Sequence, residues 1–457
     1  MSRIRATLRQ ASAVISFCLV TAVAGWAPVA IAQSTLAHAH EGVASCGGSA
    51  CHGRQVASGP DIRHDEIKTW QDASSPAGAH SRAWRVLAEP RAQAIANRLG
   101  IGSAQSATEC VGCHADQRGP ADAQSQFQIS DGVGCEACHG GSSEWLAGHY
   151  ALGVSHADNL SHGMIALEDP KARAGVCLNC HFGSAEKGQF VSHRIMAAGH
   201  PRVSFELDLF STLQKHYDLG ANYAGRKPIP SGVKVWAVGQ AMALERSLTL
   251  YSGHHGQEGA FPEFYFLDCH SCHRAISDDP RARPTWISNP ARPIPSGMPP
   301  YNDENMIMLS AAAKVAAPHL SATFETNTRA FHMALATDRQ SAIRAAGRLA
   351  GTAKELTDTF SSRSFDKAET LGILRQIVSE AQSPRYTDYT GSAQSVMAID
   401  TLLNAMVSAG QVDGGRAAAI RPDIERAYRA VNDPNAYRPG EFKGAISRIA
   451  AAVRTIG

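Results

Sequence analysis

Residues 132–140 read Gly-Val-Gly-Cys-Glu-Ala-Cys-His-Gly, and the Cys-x-x-Cys-His pattern within them is decisive for the fold. The pattern occurs four times, at Cys110/Cys113/His114, Cys135/Cys138/His139, Cys177/Cys180/His181 and Cys269/Cys272/His273. A longer version places four residues between Cys46 and Cys51, directly before His52. In this motif both thiols form thioethers to a haem, and the adjacent histidine is the proximal iron ligand. The five motifs use every cysteine except Cys18, so we predict five c-type haems.

The first 32 residues have the features of a secretory signal peptide. Three arginines lie within the first nine residues, an apolar segment follows, and Ala30-Ile31-Ala32 is typical of a cleavage site. Gly25, Trp26 and Pro28 interrupt the apolar run, which argues against the alternative of an uncleaved membrane anchor. We therefore expect cleavage near Ala32 and a periplasmic protein.

Charge limits the class of partner. Removing the signal peptide removes three arginines and no acids, which leaves 40 basic and 41 acidic residues. Haem propionates add negative charge, so we expect a modestly acidic holoprotein without a nucleic-acid partner. Cysteines of an exported protein usually form disulfides. Here the spacing and the following histidines assign them to haem instead.

The sequence divides into four segments. After the signal peptide, residues 33–279 form a predicted pentahaem cytochrome c domain. Its motifs span only 228 residues, so packed haems must replace much of the ordinary side-chain core. Residues 280–300 contain seven prolines and are interpreted as a linker. Residues 301–457 contain no cysteine and carry repeated amphipathic patterns, so we predict an all-helical domain without haem.

The predicted fold class is mainly α with long loops, a haem domain followed by a C-terminal helical bundle. In the haem domain, helices are predicted over residues 90–99, ended by Gly100, and over 170–179 and 233–251. The C-terminal helices are predicted over residues 302–317, 321–336, 339–360, 365–381, 393–409, 422–431 and 442–456. Ser364 is the expected N-cap of the helix at 365–381, and Gly410 the expected stop after Ala409.

The second axial position of each iron decides what the protein can do. A histidine there gives a closed electron carrier, whereas an open position can bind and convert a small molecule. Between residues 33 and 300, thirteen histidines outside the proximal positions compete for five irons, so counting proves neither arrangement. They are His38, His40, His64, His80, His149, His156, His162, His193, His200, His216, His254, His255 and His270.

Six segments of the sequence together resemble the cytochrome c-554-type multihaem family. That family is related to pentahaem nitrite reductases and octahaem hydroxylamine oxidoreductases. The resembling segments are residues 46–52, 80–84, 132–140, His149, 177–181 and 193–201. They cover the haem domain, about half of the chain. The resemblance implies electron transfer, distal histidine ligands drawn from elsewhere in the sequence, and haems packed in pairs and stacks.

Five histidines are the predicted distal ligands: His80, His149, His156, His193 and His200. His80 and His149 lie in segments that resemble the family. His193 and His200 are seven residues apart, two helical turns, and could serve adjacent haems. His156 is the fifth choice, with His162 as its rival. His64 could be a ligand or a surface residue.

The predicted function is a periplasmic cytochrome that carries electrons between a quinol-linked or other respiratory donor and a terminal reductase or oxidase. The alternative is a multihaem oxidoreductase acting on a small nitrogen or sulfur compound at one open haem. The related nitrite reductases carry lysine in place of one motif histidine, and all five motifs here end in histidine. A third hypothesis is a structural assembly with the C-terminal helices as interface. Membrane-surface association and the oligomeric state are left open.

Overall fold

The computed structural model describes residues 38–59, 63–116, 125–202, 204–257, 261–273, 292–295, 298–383 and 389–456. The chain divides into two compact units, Met1–Gln33 and Ser34–Gly457. The first unit lies outside the described residues, and with it the predicted signal peptide and its cleavage site. Most of the predicted linker at 280–300 also lies outside them.

The part of the chain that carries the motifs is built from short helices and long loops. Its helices are α1 (Val43–Cys46), α2 (Glu66–Trp70), α3 (Pro90–Leu99), α4 (Thr108–His114), α5 (Glu136–His139), α6 (His156–Ser161), α7 (Pro170–His181), α8 (His193–Ala197), α9 (Leu207–Leu213), α10 (Ala221–Ala224) and α11 (Gly232–Ser252). The prediction for 90–99 is confirmed by α3. Gly100 ends that helix in the left-handed region, with φ 70°, which glycine adopts without steric cost.

Seven longer helices follow. They are α12 (Glu304–Ala316), α13 (Pro318–Leu335), α14 (Arg339–Ser362), α15 (Lys367–Glu380), α16 (Tyr389–Ser408), α17 (Gly414–Ala430) and α18 (Pro439–Arg454). Among the described residues, the strand-like pairing consists of one isolated antiparallel bridge between Leu267 and Tyr301. The mainly α prediction is therefore confirmed.

The predicted starts of the C-terminal helices differ from the observed starts by up to eight residues, and two of these differences have a clear local cause. The N-cap of α15 is Asp366, not Ser364, because its carboxylate accepts from the Glu369 backbone N–H while Glu369 reaches back in a capping box. Helix α17 begins at Gly414, eight residues before Pro422, which lies inside the helix. Asp413 caps this start, because its side chain accepts a hydrogen bond from the backbone N–H of Arg416. Pro422 therefore does not mark the beginning of the helix.

The largest hydrophobic core lies between α11 and the C-terminal helices. Helix α11 contributes fully buried Trp236 and Tyr251, which share one cluster with Phe331 and Phe360. The described segments before α11 contain only small apolar clusters, such as Leu87 with its neighbours. Such small clusters are expected if large cofactors lie among the short helices. The cofactors would supply the apolar contacts that side chains supply elsewhere.

The C-terminal helices also brace two motifs directly. Gln394 of α16 donates to the backbone oxygen of Phe205, 3.1 Å away, and the Phe205 ring stacks on His181 at 4.6 Å. Thr390 donates to Asp268, the residue that caps the turn of the fifth motif. The helical part of the chain therefore holds the fourth and fifth motifs in place.

No helix within the described ranges has both the length and the apolar character needed to cross a bilayer.

Candidate haem-binding site

Local helical structure arranges each regular motif for attachment. The second motif lies in α4, the third in α5, the fourth at the end of α7 and the fifth on a 3-10 turn. Residues three and four positions apart share one face of a helical turn. Both thiols and the histidine of a motif can therefore address the same side of one macrocycle. None of the ten motif cysteines is joined in a disulfide.

The thiols differ in how far the protein chain encloses them. Eight of the ten are partly buried, whereas Cys51 of the first motif and Cys272 of the fifth are exposed. The 3-10 turn of the fifth motif covers Cys269–Ser271, and Cys272 lies just beyond its end. The described residues leave Cys272 exposed, in contrast to the packed surroundings expected of a haem thiol. The role of Cys272 in haem attachment stays a prediction that rests on the motif.

The stretched first motif reproduces the backbone geometry of the regular ones. The His139 amide donates to the carbonyl oxygen of Cys135 at 2.9 Å, and His273 does the same to Cys269 at 2.8 Å. In the first motif the His52 amide donates to Cys46 at 3.2 Å, although two extra residues intervene. The extra residues loop outward, so the amide of His52 still reaches the carbonyl oxygen of the first cysteine of its motif.

Gly53 makes this return path possible. A Cβ at Gly53 would lie 2.0 Å from the carbonyl oxygen of Gly47, so no other residue fits without moving the backbone. The geometry of the first motif thus fits the attachment of a haem.

Each motif histidine faces a second histidine across a nearly constant gap. The ring centroids lie 6.3 Å apart in four pairs and 6.4 Å apart in the fifth. The pairs are His52 with His149, His80 with His181, His114 with His200, His139 with His216, and His193 with His273. Two imidazoles on opposite sides of one metal, with bonds of about 2 Å, place their centroids roughly 6 Å apart. The gaps therefore fit one iron each.

Backbone carbonyls orient several of these rings. Nδ1 of His149 donates to the Leu146 oxygen at 2.7 Å, and Nδ1 of His114 donates to the Ala83 oxygen at 2.8 Å. His200 contacts the Pro201 oxygen in the same way. Such a bond fixes the tautomer with the proton on Nδ1 and leaves the Nε2 lone pair for a metal.

Burial favours the neutral, metal-binding form of five of these rings. It lowers the pKa of His139 and of His181 to about 4. It also lowers the pKa of His80, His200 and His216. A neutral imidazole is the form that coordinates a metal, so these rings need no proton release before binding.

Of the five predicted distal ligands, the structure places four opposite a motif histidine. They are His80, His149, His193 and His200. His156 instead lies against Glu168, with its Nε2 engaged by that carboxylate. Its rival, His162, is exposed on the surface, and its Nδ1 contacts the Asp158 oxygen.

The position opposite His139 is taken by His216, one of the thirteen candidates that sequence reasoning did not single out. No local pattern marks His216, since it lies in a loop after α9, far along the chain from the third motif. The conformation of that loop brings His216 to His139, and no local sequence pattern predicts it.

His52 has a second histidine neighbour. The ring of His64 lies 6.1 Å from that of His52 at an angle of 61°, whereas His149 is nearly parallel to His52 at 16°. His64 is a non-glycine residue with positive φ, at 60°, and its Nδ1 contacts the Ser58 hydroxyl at 2.8 Å.

Thiols of different motifs lie close together. Cys46 of the first motif lies beside Cys135 of the third, and Cys113 of the second lies beside Cys180 of the fourth. Cys138 is close enough to Cys180 for their charges to interact. The attachment sites one to four therefore form a contiguous group.

A buried carboxylate ties the N-terminal segment to the third motif. Glu136 accepts from the backbone N–H groups of Glu41 and Gly42 at 2.8 Å and of Ser142 at 2.9 Å. His40 and Asp116 lie beside it, and one ligand atom from each of the three residues falls within 4.8 Å of the others. Three donors already occupy Glu136, so this cluster serves as an anchor for residues 38–43.

The His40–Asp116 contact predicts a pH-dependent stability. Burial would lower the pKa of His40, but the Asp116 carboxylate, 2.9 Å away, overrides it and the net shift is upward. The stabilisation is complete below the ordinary pKa of about 6.5 and is lost as pH rises through the raised pKa. We expect His40→Gln to lower the thermal midpoint at pH 5.5 more than at pH 8.5. A loss that is equal at both values, measured by circular dichroism, would contradict the role of the ion pair.

Taken together, the motif thiols and the paired histidines support a c-type cytochrome, a protein that binds haem covalently and takes part in electron transfer. Residues 49–140 match the family described as cytochrome c554 and c-prime, which confirms the expected resemblance to cytochrome c-554-like proteins. The matched segment contains the second and third motifs and most of the first. No curated protein and no solved structure gives a significant match.

Proposed function

We propose that this chain is a periplasmic pentahaem cytochrome that carries electrons between a respiratory donor and a terminal acceptor. The observation that carries the proposal is the set of five histidine pairs, each with centroids 6.3 or 6.4 Å apart. A haem bound between two histidines supplies one-electron redox chemistry with both axial positions closed. Closed sites favour electron transfer over conversion of a small substrate.

In this proposal His216, not His156, is the fifth distal ligand. Glu168 engages the Nε2 atom that His156 would need for an iron. His216 faces His139, and its Nδ1 lies 3.2 Å from the Gln214 oxygen, which leaves Nε2 directed elsewhere. For the first motif we assign His149 over His64, because a backbone carbonyl fixes the His149 tautomer.

The contacts between motifs suggest a path for electrons. Neighbouring thiols link the first motif to the third and the fourth to the second, and Cys138 of the third lies within electrostatic reach of Cys180 of the fourth. Helix α8 starts at His193, which faces the fifth motif, and the chain reaches His200, which faces the second, seven residues later. The proposed order of sites is therefore first, third, fourth, second and fifth.

The cellular setting follows from the sequence. The predicted signal peptide supports export to the periplasm, where c-type haems are attached. Suitable partners are a quinol-linked donor and a terminal reductase or oxidase. The C-terminal helices brace the fourth and fifth motifs, which gives them a structural part in the electron path.

Spectroscopy tests the proposal. Electron paramagnetic resonance of the oxidised holoprotein is expected to show low-spin ferric haem only, and potentiometric titration to show five one-electron steps. Cyanide, nitrite and hydroxylamine should leave the spectrum unchanged. A high-spin component that shifts with nitrite or hydroxylamine would instead favour the oxidoreductase alternative, because it requires an open iron position.

Mass determination tests the first motif separately. We expect Cys46→Ser combined with Cys51→Ser to lower the intact mass by one haem and to leave four haems attached, since thioether bonds are the only covalent link. His64→Ala is the matched control and should keep all five haems. A wild-type mass corresponding to four haems would exclude attachment at the stretched motif.

A further inference from the structure

The first attachment site lies at the surface of the protein. Cys51 is exposed and the His52 side chain is 42% exposed. A haem at the first motif would therefore be within reach of a partner protein.

A protruding apolar loop lies beside this site. Residues 148–154 carry Tyr150, which is 75% exposed, Leu152, which is fully exposed, and partly exposed Val154. Isolated exposed apolar residues are common on protein surfaces, but three on one short loop indicate an interaction site.

The base of the loop is fixed against the first haem site. His149 faces His52 and donates through Nδ1 to the Leu146 oxygen. The buried ring of Trp145 lies edge-on to His149, with 5.5 Å between centroids. The apolar side chains are thus held next to the iron position by the same histidine that faces it.

The loop lies in an acidic part of the sequence. Residues 119–170 contain seven acids and no lysine or arginine. Glu144 and Asp158, on either side of the loop, are exposed. On the first-motif side, Arg63 forms ion pairs with Asp65 and Asp218, while Arg54 and Lys68 are exposed. The loop is therefore an apolar surface flanked by two exposed carboxylates.

We propose that residues 148–154 dock a small basic redox protein whose exposed redox centre is surrounded by lysines. The apolar tips exclude water at the contact, and the acidic residues steer a positively charged partner toward it. A membrane surface is the other possible occupant, but interfacial anchors use basic residues against anionic lipids, and this stretch has none. The inference rests on the proposed electron-transfer function.

Stopped-flow spectroscopy with the five-haem holoprotein tests this surface. The holoprotein is first reduced, and the probe is an oxidised, lysine-rich monohaem cytochrome c, with ferricyanide as a small oxidant in parallel. We expect Leu152→Ser combined with Val154→Ser to slow electron transfer to the cytochrome about tenfold to a hundredfold. Oxidation by ferricyanide and the haem spectrum should stay as in the wild type. Met333→Ser, at an exposed apolar position on α13, is the matched control and should not change the rate.

The outcomes separate the two proposals. If the reduced wild type gives electrons to neither oxidant, the proposed function fails. If it gives electrons to both and the double variant does so equally fast, the docking surface is wrong. The same holds if the rate with the basic cytochrome rises with salt, since screening should slow it. Sedimentation of the wild type, but not of the double variant, with anionic phospholipid vesicles would also overturn the proposal in favour of a membrane.

Discussion

His216→Ala is expected to convert one of the five haems from low-spin to high-spin. His216 faces His139 at 6.4 Å, and burial keeps both rings neutral and able to coordinate. Alanine removes the second axial ligand, while the cysteines and His139 still hold the haem. Electron paramagnetic resonance of the oxidised variant should gain a high-spin signal, and cyanide should then bind to about one fifth of the iron.

His156→Ala is the matched control for this variant. It removes the histidine that the sequence favoured, at a position bound to Glu168. Its spectrum should be that of the wild type. A high-spin signal in His156→Ala together with none in His216→Ala would reverse the assignment of the fifth distal ligand.

Glu136→Ala is expected to destabilise the protein by about 3 kcal/mol or more. The side chain is buried and accepts from three backbone N–H groups, each of which would lose its partner. Leaving one buried donor without an acceptor costs roughly 1–3 kcal/mol. The lost hydrogen bonds are those that join residues 38–43 to the third motif. Chemical denaturation of the holoprotein, followed by far-ultraviolet circular dichroism, measures it.

Two further variants sharpen this test. Glu144→Ala removes an exposed carboxylate close by in sequence and should change the unfolding midpoint little. Glu136→Gln keeps one carbonyl acceptor and should give an intermediate loss. If Glu136→Ala unfolds at the same denaturant concentration as the wild type, the carboxylate does not anchor the N-terminal segment. Intact mass establishes that all variants carry the same number of haems.

Helices were predictable where the signal is local. Pro90 at the start and Gly100 at the end define α3, because proline fits the first helical turn and glycine the left-handed cap. Asp366 was missed as a cap because Ser364, Asp366 and Glu369 all lie in the same short stretch, and only the folded backbone selects among them. Pro422 was misread because a proline inside a helix resembles one at its start.

The exposure of the motif thiols was not predictable from their spacing. Cys113 and Cys272 occupy the same place in their motifs, yet Cys113 is partly buried and Cys272 is exposed. Cys113 lies within α4, beside Cys180 of the fourth motif, whereas Cys272 follows a single 3-10 turn. What packs against a thiol depends on neighbouring elements, which the motif does not encode.

The sequence by itself determined the attachment chemistry, because two thiols and a histidine at fixed spacing meet on one helical turn wherever that turn lies. It also indicated four of the histidines that the fold brings opposite a motif. Tertiary structure alone decided that His216 and not His156 lies opposite His139, and that His52 returns to Cys46 across two extra residues. The tertiary fold of the whole chain determines which histidine faces a motif, and the local spacing of residues does not predict that fold.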